Sequence, residues 1–220
     1  MKDKAENQPG ESKPRRYRPT RAEVLAAADR RVADVAAPGL RVLFCGINPG
    51  LYTAAVGHHF ARPGNRFWPA LYRSGFTPRL IDPFEERRLL EYGLGITNVV
   101  SRATAGAAEL TTDELVQGGQ ALRAKVLGLR PRYLAVLGVG AYRSAFHRPQ
   151  AQPGPQEEPS LGETRVWVLP NPSGLNAHYP LEALVEMFAA LRREVEAGRP
   201  GSEDGKRQTG RKDGNTQPEE

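Results

Sequence analysis

Two short polar segments, each directly following an apolar run, carry residue types that can line a binding cleft. The first is GINPGL at 46–51 and the second is PNPSGLN at 170–176. Each sets an asparagine beside a proline, which stiffens the backbone, and a glycine, which lets another group approach closely. Either segment alone is compatible with an ordinary turn. Together, at the ends of two apolar runs, they indicate one shared cleft.

Between these segments a loop combines aromatic, imidazole and guanidinium groups in the order HHFARPGNRFW. Phe60 lies within the loop and is the better candidate for stacking on a flat ring, because Phe67 and Trp68 belong to the next predicted helix and are expected in the core. The adjacent His58 and His59 need not converge on a metal. We expect solvated or hydrogen-bonded histidines, with a phosphate contact as the alternative.

The elements that position these segments follow from hydrophobic patterning. Short, continuously apolar runs predict strands covered on both faces, at 41–47, 95–100, 133–138 and 165–170. Helices are predicted at 65–74, 84–93, 111–129 and 181–197, with an entry helix capped by Thr20 and ended by Pro38 and Gly39. This alternation predicts an α/β fold, a three-layer α/β/α sandwich whose mainly parallel central sheet has about four strands. Ligands bind such sheets beyond the carboxyl ends of the strands.

Composition limits the class of protein. The 220 residues are 39% hydrophobic and 25% charged, with a net charge of +6. This length and composition predict one domain at 21–197. The polar ends of the chain predict disordered tails at 1–20 and 198–220. The lone Cys45 allows no disulfide framework, and we expect it in the core. No metal or other cofactor is expected, and the lack of long apolar stretches predicts a cytoplasmic protein without membrane contact. The basic N-terminal tail is compatible with phosphate contacts.

Four ordered blocks carry a resemblance to a known family, over roughly residues 38–191. They read LFCGINPGL (43–51), FARPGNRFW (60–68), GITNVVSRAT (95–104) and VLPNPSGLN (168–176). In this order they resemble the mismatch-specific uracil-DNA glycosylases, which are bacterial relatives of thymine-DNA glycosylase in the uracil-DNA glycosylase superfamily. The resemblance implies a base excision repair hydrolase that acts as a monomer on double-stranded DNA, near the bacterial nucleoid. It would flip uracil, or thymine or another damaged pyrimidine, out of a G·U or G·T mismatch and leave an abasic site.

The resemblance implies a role for each residue of the base pocket. Asn48 would hold the attacking water, where faster uracil glycosylases have a carboxylate. Because an amide orients water but accepts no proton at neutral pH, we expect modest catalysis. The Ile47 amide would bond a pyrimidine oxygen, Phe60 would stack on the extruded ring, and the open Gly50 would tolerate larger bases. Asn98 and Asn171 would complete the pocket, Asn98 standing where some members carry lysine.

The second segment resembles the family's insertion loop. Leu175 would fill the gap left by the flipped nucleotide, while the main chain of Gly174 and Asn176 would read the widowed guanine. Ser173 or neighbouring backbone amides would hold a phosphate. For Asn171 and Ser173 a turn-capping role is the alternative. Ala177 stands where relatives often have a basic residue.

Other functions stay open on the sequence alone. A non-catalytic DNA-lesion or nucleotide-binding module would use the same cleft without needing Asn48. A nucleotide-using Rossmann enzyme is suggested only by Gly138-Val139-Gly140, which lacks the third glycine of that motif. No lysine occurs in the two polar segments, so no Schiff-base lyase step is expected. One of three carboxylates flanking the second predicted strand would be able to assist the water, although capping or solvation is the default: Asp82, Glu109 and Asp113.

Overall fold

The computed structural model describes residues 17–198, so the predicted tails lie outside the described residues except for 17–20 and 198. The strands are β1 (Val42–Gly46), β2 (Leu94–Asn98), β3 (Tyr133–Leu137), β4 (Gly154–Leu161) and β5 (Thr164–Leu169). The α-helices are α1 (Arg21–Leu25), α2 (Leu51–Val56), α3 (Phe67–Arg73), α4 (Thr112–Leu129), α5 (Val139–Ala145) and α6 (Leu181–Ala197). Two 3-10 helices span Pro83–Tyr92 and Ala107–Glu109.

The five strands form one sheet in the order β2-β1-β3-β5-β4, in which β4 is antiparallel to β5 and all other neighbours are parallel. One face of the sheet packs on α3, α6 and the long 3-10 helix, and the other packs on α4 and α5. The predicted three-layer α/β/α fold is therefore confirmed. The strand count was too low, because β4 is a polar edge strand whose sequence, GPQEEPSL, shows no apolar alternation.

The central strands form where predicted because their side chains are apolar on both faces, and β1 and β3 are buried along their whole length. Burial also raises the pKa of the Cys45 thiol well above its usual range, because an anion would be desolvated there. The expectation that Cys45 is a core residue is confirmed. Phe67 and Trp68 are likewise buried against the sheet.

The entry helix is much shorter than predicted. It begins with a capping box between Thr20 and Glu23 but ends at Leu25, and Asp29 adopts a left-handed backbone. The following chain lies beside the sheet, where the backbone of Val35 exchanges two hydrogen bonds with Ile96. Those backbone bonds replace helical ones. Val35 is buried against the sheet, whereas Val32 is buried in a small separate cluster with Ala27, Ala54 and Ala103, so their apolar spacing does not mark a helix face.

Helices α2 and α5 were not predicted, because six or seven residues are too few to show a periodic pattern. Among residues 17–198, no helix has the length and apolar character needed to cross a bilayer.

Candidate active site

A cleft of about 340 Å³ opens at the carboxyl ends of β1, β2 and β5. The end of β3 lies between those of β1 and β5 and contributes Leu137 to the floor. Gly138 follows with a positive φ, and a Cβ there would come within 2.9 Å of the Ile47 side chain. The cleft brings together nearly every predicted site residue, namely Ile47, Asn48, Gly50, Phe60, Asn98, Asn171, Ser173, Leu175 and Asn176. Gly174 does not line it.

The Asn48 side chain is held in one orientation. Its Nδ2 donates to the carbonyl oxygen of Arg102 at 3.1 Å and to Oγ1 of Thr104 at 2.7 Å. The Thr104 hydroxyl donates its own proton to the Gly106 carbonyl at 2.9 Å, so it accepts from Asn48. Because a carbonyl only accepts, the amide nitrogen must face Arg102. The Asn48 Oδ1 is left as an acceptor in the cleft.

The segment that holds Asn48 is itself anchored by an ion pair. The guanidinium of Arg102 contacts both carboxylate oxygens of Glu114, at 2.5 and 3.0 Å, and Asp29 at 3.4 Å. Glu114 also accepts from the Thr111 backbone at the start of α4. Hydrogen bonds from Arg102, and then from Thr111, lower the pKa of Glu114 to about 2. The pair is thus charged at neutral pH and joins α4 to residues 102–104, which bond to the Asn48 side chain.

Phe60 lies on one wall of the cleft. Its backbone has φ of 53°, and its ring stacks on the buried Phe67 with centroids 4.2 Å apart. A Cβ on Gly46 would lie 3.3 Å from the Phe60 ring and 2.6 Å from Oδ1 of Asn98. Glycine at the end of β1 therefore lets an aromatic ring and an amide approach the same point.

Ile47 and Asn98 supply polar groups to the cleft from neighbouring strands. Ile47 lines the cleft, and its side chain packs toward Gly138 and the core on the α4 and α5 side of the sheet. Within residues 17–198, neither the Ile47 N–H nor the Asn98 side chain has a hydrogen-bond partner. Both groups are therefore available to a ligand.

The histidines before Phe60 are structural. Glu86 is buried, with 6% of its surface exposed, and accepts from the His59 backbone at 2.6 Å while contacting Nδ1 of His58 at 3.2 Å. The His59 ring contacts the Ala33 carbonyl at 3.0 Å, and Trp68 donates to the His59 carbonyl at 3.2 Å. These contacts match the expectation of hydrogen-bonded histidines and leave the phosphate alternative without support.

The segment after β5 forms a compact loop around its own side chains. Oδ1 of Asn171 accepts from the Ser173 N–H at 3.0 Å, and Oγ of Ser173 accepts from the Leu175 N–H at 3.3 Å. Nδ2 of Asn176 donates to the Asn171 carbonyl at 3.0 Å. Asn171 and Ser173 thus cap the turn, as the alternative for them predicted. Leu175 stands at the tip with 73% of its surface exposed.

One protein family matches most of the chain, including the residues of this cleft. The model of the Uracil DNA glycosylase superfamily matches residues 33–193. The chain belongs to this superfamily. The match runs from the extended segment before β1 into α6 and so includes the whole sheet and the cleft. Members of the uracil-DNA glycosylase superfamily are DNA glycosylases, which are hydrolases that act on DNA. The Rossmann alternative based on Gly138 and Gly140 is therefore wrong.

The cleft of this superfamily member contains few ionisable side chains. Among the described residues that line it, none is Asp, Glu or Lys, and the only basic residues are His59 and Arg62. Asp82 caps the long 3-10 helix by accepting from Phe84, and Glu109 accepts from the Gly106 N–H. Neither these two nor Asp113, in the first turn of α4, lines the cleft. These positions favour the expectation of capping or solvated carboxylates over that of a carboxylate that assists the water.

Four residues that support the cleft of this superfamily member were not predicted from the sequence. Thr104 and Arg102 orient Asn48, Glu86 fixes the histidine loop, and Arg66 anchors the loop that carries Leu175. The block GITNVVSRAT contains Arg102 and Thr104, and FARPGNRFW contains Arg66, so the signal lay in blocks already singled out. Glu86 sits in a run of charged residues that marks no site.

Proposed function

We propose that the protein is a monofunctional mismatch-specific uracil-DNA glycosylase, of the group that includes thymine-DNA glycosylase. It flips uracil, and thymine or other damaged pyrimidines where the pocket admits them, out of G·U and G·T mismatches in duplex DNA. A water held by Asn48 then hydrolyses the N-glycosidic bond and leaves an abasic site. The observation that carries this proposal is the fixed orientation of Asn48, whose Oδ1 faces a cleft that no described carboxylate lines.

The bond between C1′ and the base nitrogen breaks as the water oxygen bonds to C1′. Positive charge develops on the sugar and negative charge on the departing pyrimidine. Oδ1 of Asn48 accepts a hydrogen bond from the water and so directs its lone pair to C1′, and the water's proton passes to solvent or to the leaving base. Without a carboxylate base, we expect a rate about 10²- to 10⁴-fold lower than that of an enzyme with general base catalysis.

Stabilisation of the leaving group therefore carries more of the rate. The Ile47 N–H and the Asn98 side chain lack protein partners within residues 17–198, and because both residues line the cleft, each would donate a hydrogen bond to an oxygen of a bound pyrimidine. Hydrogen bonds to a developing anion strengthen as its charge grows, which favours the transition state over the bound substrate.

The walls of the cleft fit an extruded pyrimidine. Phe60 offers an aromatic ring supported from behind by Phe67. A Cβ on Gly50 would meet no atom within 4 Å, so the cleft has room there for a 5-methyl group. These two features support a pocket that accepts thymine as well as uracil.

The exposed Leu175 provides the wedge. Rotating a nucleotide out of the stack costs a few kcal/mol, and the cost is smallest for a mispaired base. Inserting an apolar side chain into the gap offsets part of that cost. The lack of lysine among the described cleft residues supports a monofunctional reaction, since a Schiff base needs an amine close to C1′.

The test is glycosylase activity on labelled duplexes that contain G·U, A·U, G·T or an unpaired uracil. Products are treated with alkali, which breaks the strand at an abasic site. We expect scission by the native protein on G·U, weaker scission on A·U, and a loss of at least about 100-fold with Asn48→Ala. Gln120→Ala, which removes an exposed amide on α4, serves as the control and should cleave like the native protein.

Three results would contradict the proposal. Tight binding of G·U duplex without scission would make the protein a DNA-lesion binder that uses the same cleft. Scission before alkali treatment would show a lyase step and reject the monofunctional assignment. Full activity of Asn48→Ala would remove the water-positioning role and with it the mechanism.

A further inference from the structure

The Arg66 side chain is enclosed by the loop that carries Leu175. It extends from the residue before α3, and its guanidinium donates to backbone carbonyls along that loop. Nε contacts the carbonyl of Pro172 at 3.4 Å, Nη1 that of Tyr179 at 2.5 Å, and Nη2 those of Ser173 and of Asn176, the latter at 2.8 Å. The Arg66 backbone N–H adds a bond to Pro172 at 3.0 Å.

These contacts link two parts of the cleft that are distant in sequence. The loop has no regular secondary structure, and the other side-chain hydrogen bonds of 171–178 are made within the loop. A second contact lies beside Arg66, where a Cβ on Gly174 would come within 2.6 Å of the Gly64 carbonyl. The segment that carries Phe60 and the loop that carries Leu175 therefore meet at Arg66 and Gly64.

Arginine suits this position because its planar fork donates in several directions at once. Carbonyl groups that converge on one point repel each other, and a guanidinium at that point makes their convergence favourable. With its nitrogen atoms committed to four carbonyls, Arg66 is not free to bind phosphate. Arg62 contrasts with it, since its exposed side chain lines the cleft and has no hydrogen bond or ion pair among the described residues.

We propose that Arg66 is a positioning residue that holds the 171–179 loop in the shape from which Leu175 enters the duplex. This inference rests on the proposed function, and it assigns to Arg66 the ordering of the loop before DNA binds. A loop ordered in advance loses less conformational entropy during insertion, which lowers the free energy of base extrusion.

Arg66→Lys tests this idea because it keeps the positive charge near DNA while replacing the fork with a single ammonium group. Amide hydrogen exchange of the free protein reports on the loop, at the N–H groups of Ser173, Leu175 and Asn176. A 2-aminopurine placed beside the uracil reports on extrusion, and single-turnover cleavage of G·U duplex reports on chemistry. Arg73→Lys is the matched control, since Arg73 ends α3 and pairs with the exposed Glu182.

We expect the three loop amides of Arg66→Lys to exchange about 10-fold faster or more, while the amide of Phe44 in β1 keeps its native rate. The base extrusion reported by 2-aminopurine and the single-turnover cleavage rate should each fall by about 10- to 100-fold. Arg73→Lys should match the native protein in all three measurements. Unchanged exchange in the loop would overturn the inference, and so would faster exchange with native extrusion and cleavage.

A second variant covers the case in which Arg66→Lys does not fold, as judged by circular dichroism. Gly174→Ala leaves Arg66 intact but pushes the loop away from the Gly64 carbonyl, and it should give the same combination of fast exchange and weak extrusion. Native behaviour of Gly174→Ala would then overturn the inference. If the native protein cleaves no duplex, the proposed function fails, whereas loop exchange and the 2-aminopurine signal still decide the role of Arg66.

Discussion

The Asn48 side-chain nitrogen donates a 2.7 Å hydrogen bond to Oγ1 of Thr104, a hydroxyl on a residue with only 2% of its surface exposed. The same hydroxyl donates to the Gly106 carbonyl, so its proton points away from Asn48. This relay defines which end of the amide faces the cleft. If the amide were flipped by half a turn, its N–H groups would face the water and could not accept the hydrogen bond that Oδ1 accepts.

Thr104→Val tests the relay, because valine keeps the shape of threonine and removes the hydroxyl. We expect the single-turnover rate to fall about 10-fold while the affinity for G·U duplex stays native, since the lost interaction orients the water rather than binding DNA. Thr104→Ser keeps the hydroxyl and should restore most of the rate. A valine variant as fast as native, or a serine variant as slow as valine, would disprove the relay.

Leu175→Ala separates DNA insertion from folding. Because Leu175 is largely exposed, its truncation should change the free energy of unfolding by less than about 0.5 kcal/mol. Cleavage of G·U duplex should fall about 10-fold, because the shorter side chain no longer fills the gap in the stack. Thermal unfolding and single-turnover kinetics on the same preparation measure both effects. Leu127→Ala, a change at an exposed leucine on α4 that lies outside the cleft, is the control and should keep the native rate.

Gly50→Phe addresses the choice of base. The backbone of Gly50 has φ of −76° and ψ of 159°, which any residue adopts, and the space beyond a Cβ is open. A ring there should occupy the region of a thymine methyl group, so the ratio of G·U to G·T cleavage should rise about 10- to 200-fold. Cleavage assays on the two duplexes measure that ratio directly. An unchanged ratio would show that the 5-methyl group lies elsewhere.

The sheet was predictable from sequence because its central strands are short, apolar and buried on both faces. The two asparagine segments at 46–51 and 170–176 were placed on one edge by the rule that parallel strands share their carboxyl ends. The antiparallel β4 was missed because an edge strand needs no apolar pattern. The entry helix was overextended because Val32 and Val35 have helical spacing, and that spacing did not reveal the pairing of Val35 with Ile96 in β2.

The cleft residues were predictable as types but not as partners. Asn48 and Leu175 stand out because their segments combine asparagine, proline and glycine directly after a strand. Their supports come from far along the chain, since Thr104 lies 56 residues from Asn48 and Asn176 lies 110 residues from Arg66. Such pairs depend on how the strands are ordered in the sheet, which the local sequence does not encode.

Glu114→Gln tests how strongly the chain beside Asn48 depends on the ion pair with Arg102. The native pKa of Glu114 is about 2, below its usual value of 4.5, because Arg102 and the Thr111 backbone stabilise the carboxylate. Its contribution to stability is therefore complete above pH 4.5 and is lost as the pH falls toward 2. Glutamine does not titrate. The difference in unfolding free energy between native and variant should be constant above pH 4.5 and shrink below it.

Urea unfolding at a series of pH values measures that difference. The contributions of the other acidic groups to the unfolding free energy cancel, because both proteins contain those groups. At neutral pH we expect the single-turnover rate of Glu114→Gln to fall by less than about 10-fold, because the Arg102 carbonyl still accepts from Asn48 but its segment is held less firmly. Glu182→Gln breaks the exposed pair with Arg73 and should keep the native rate. If the stability difference stays constant down to pH 2, the charged pair does not hold this part of the cleft, and its proposed link to Asn48 fails.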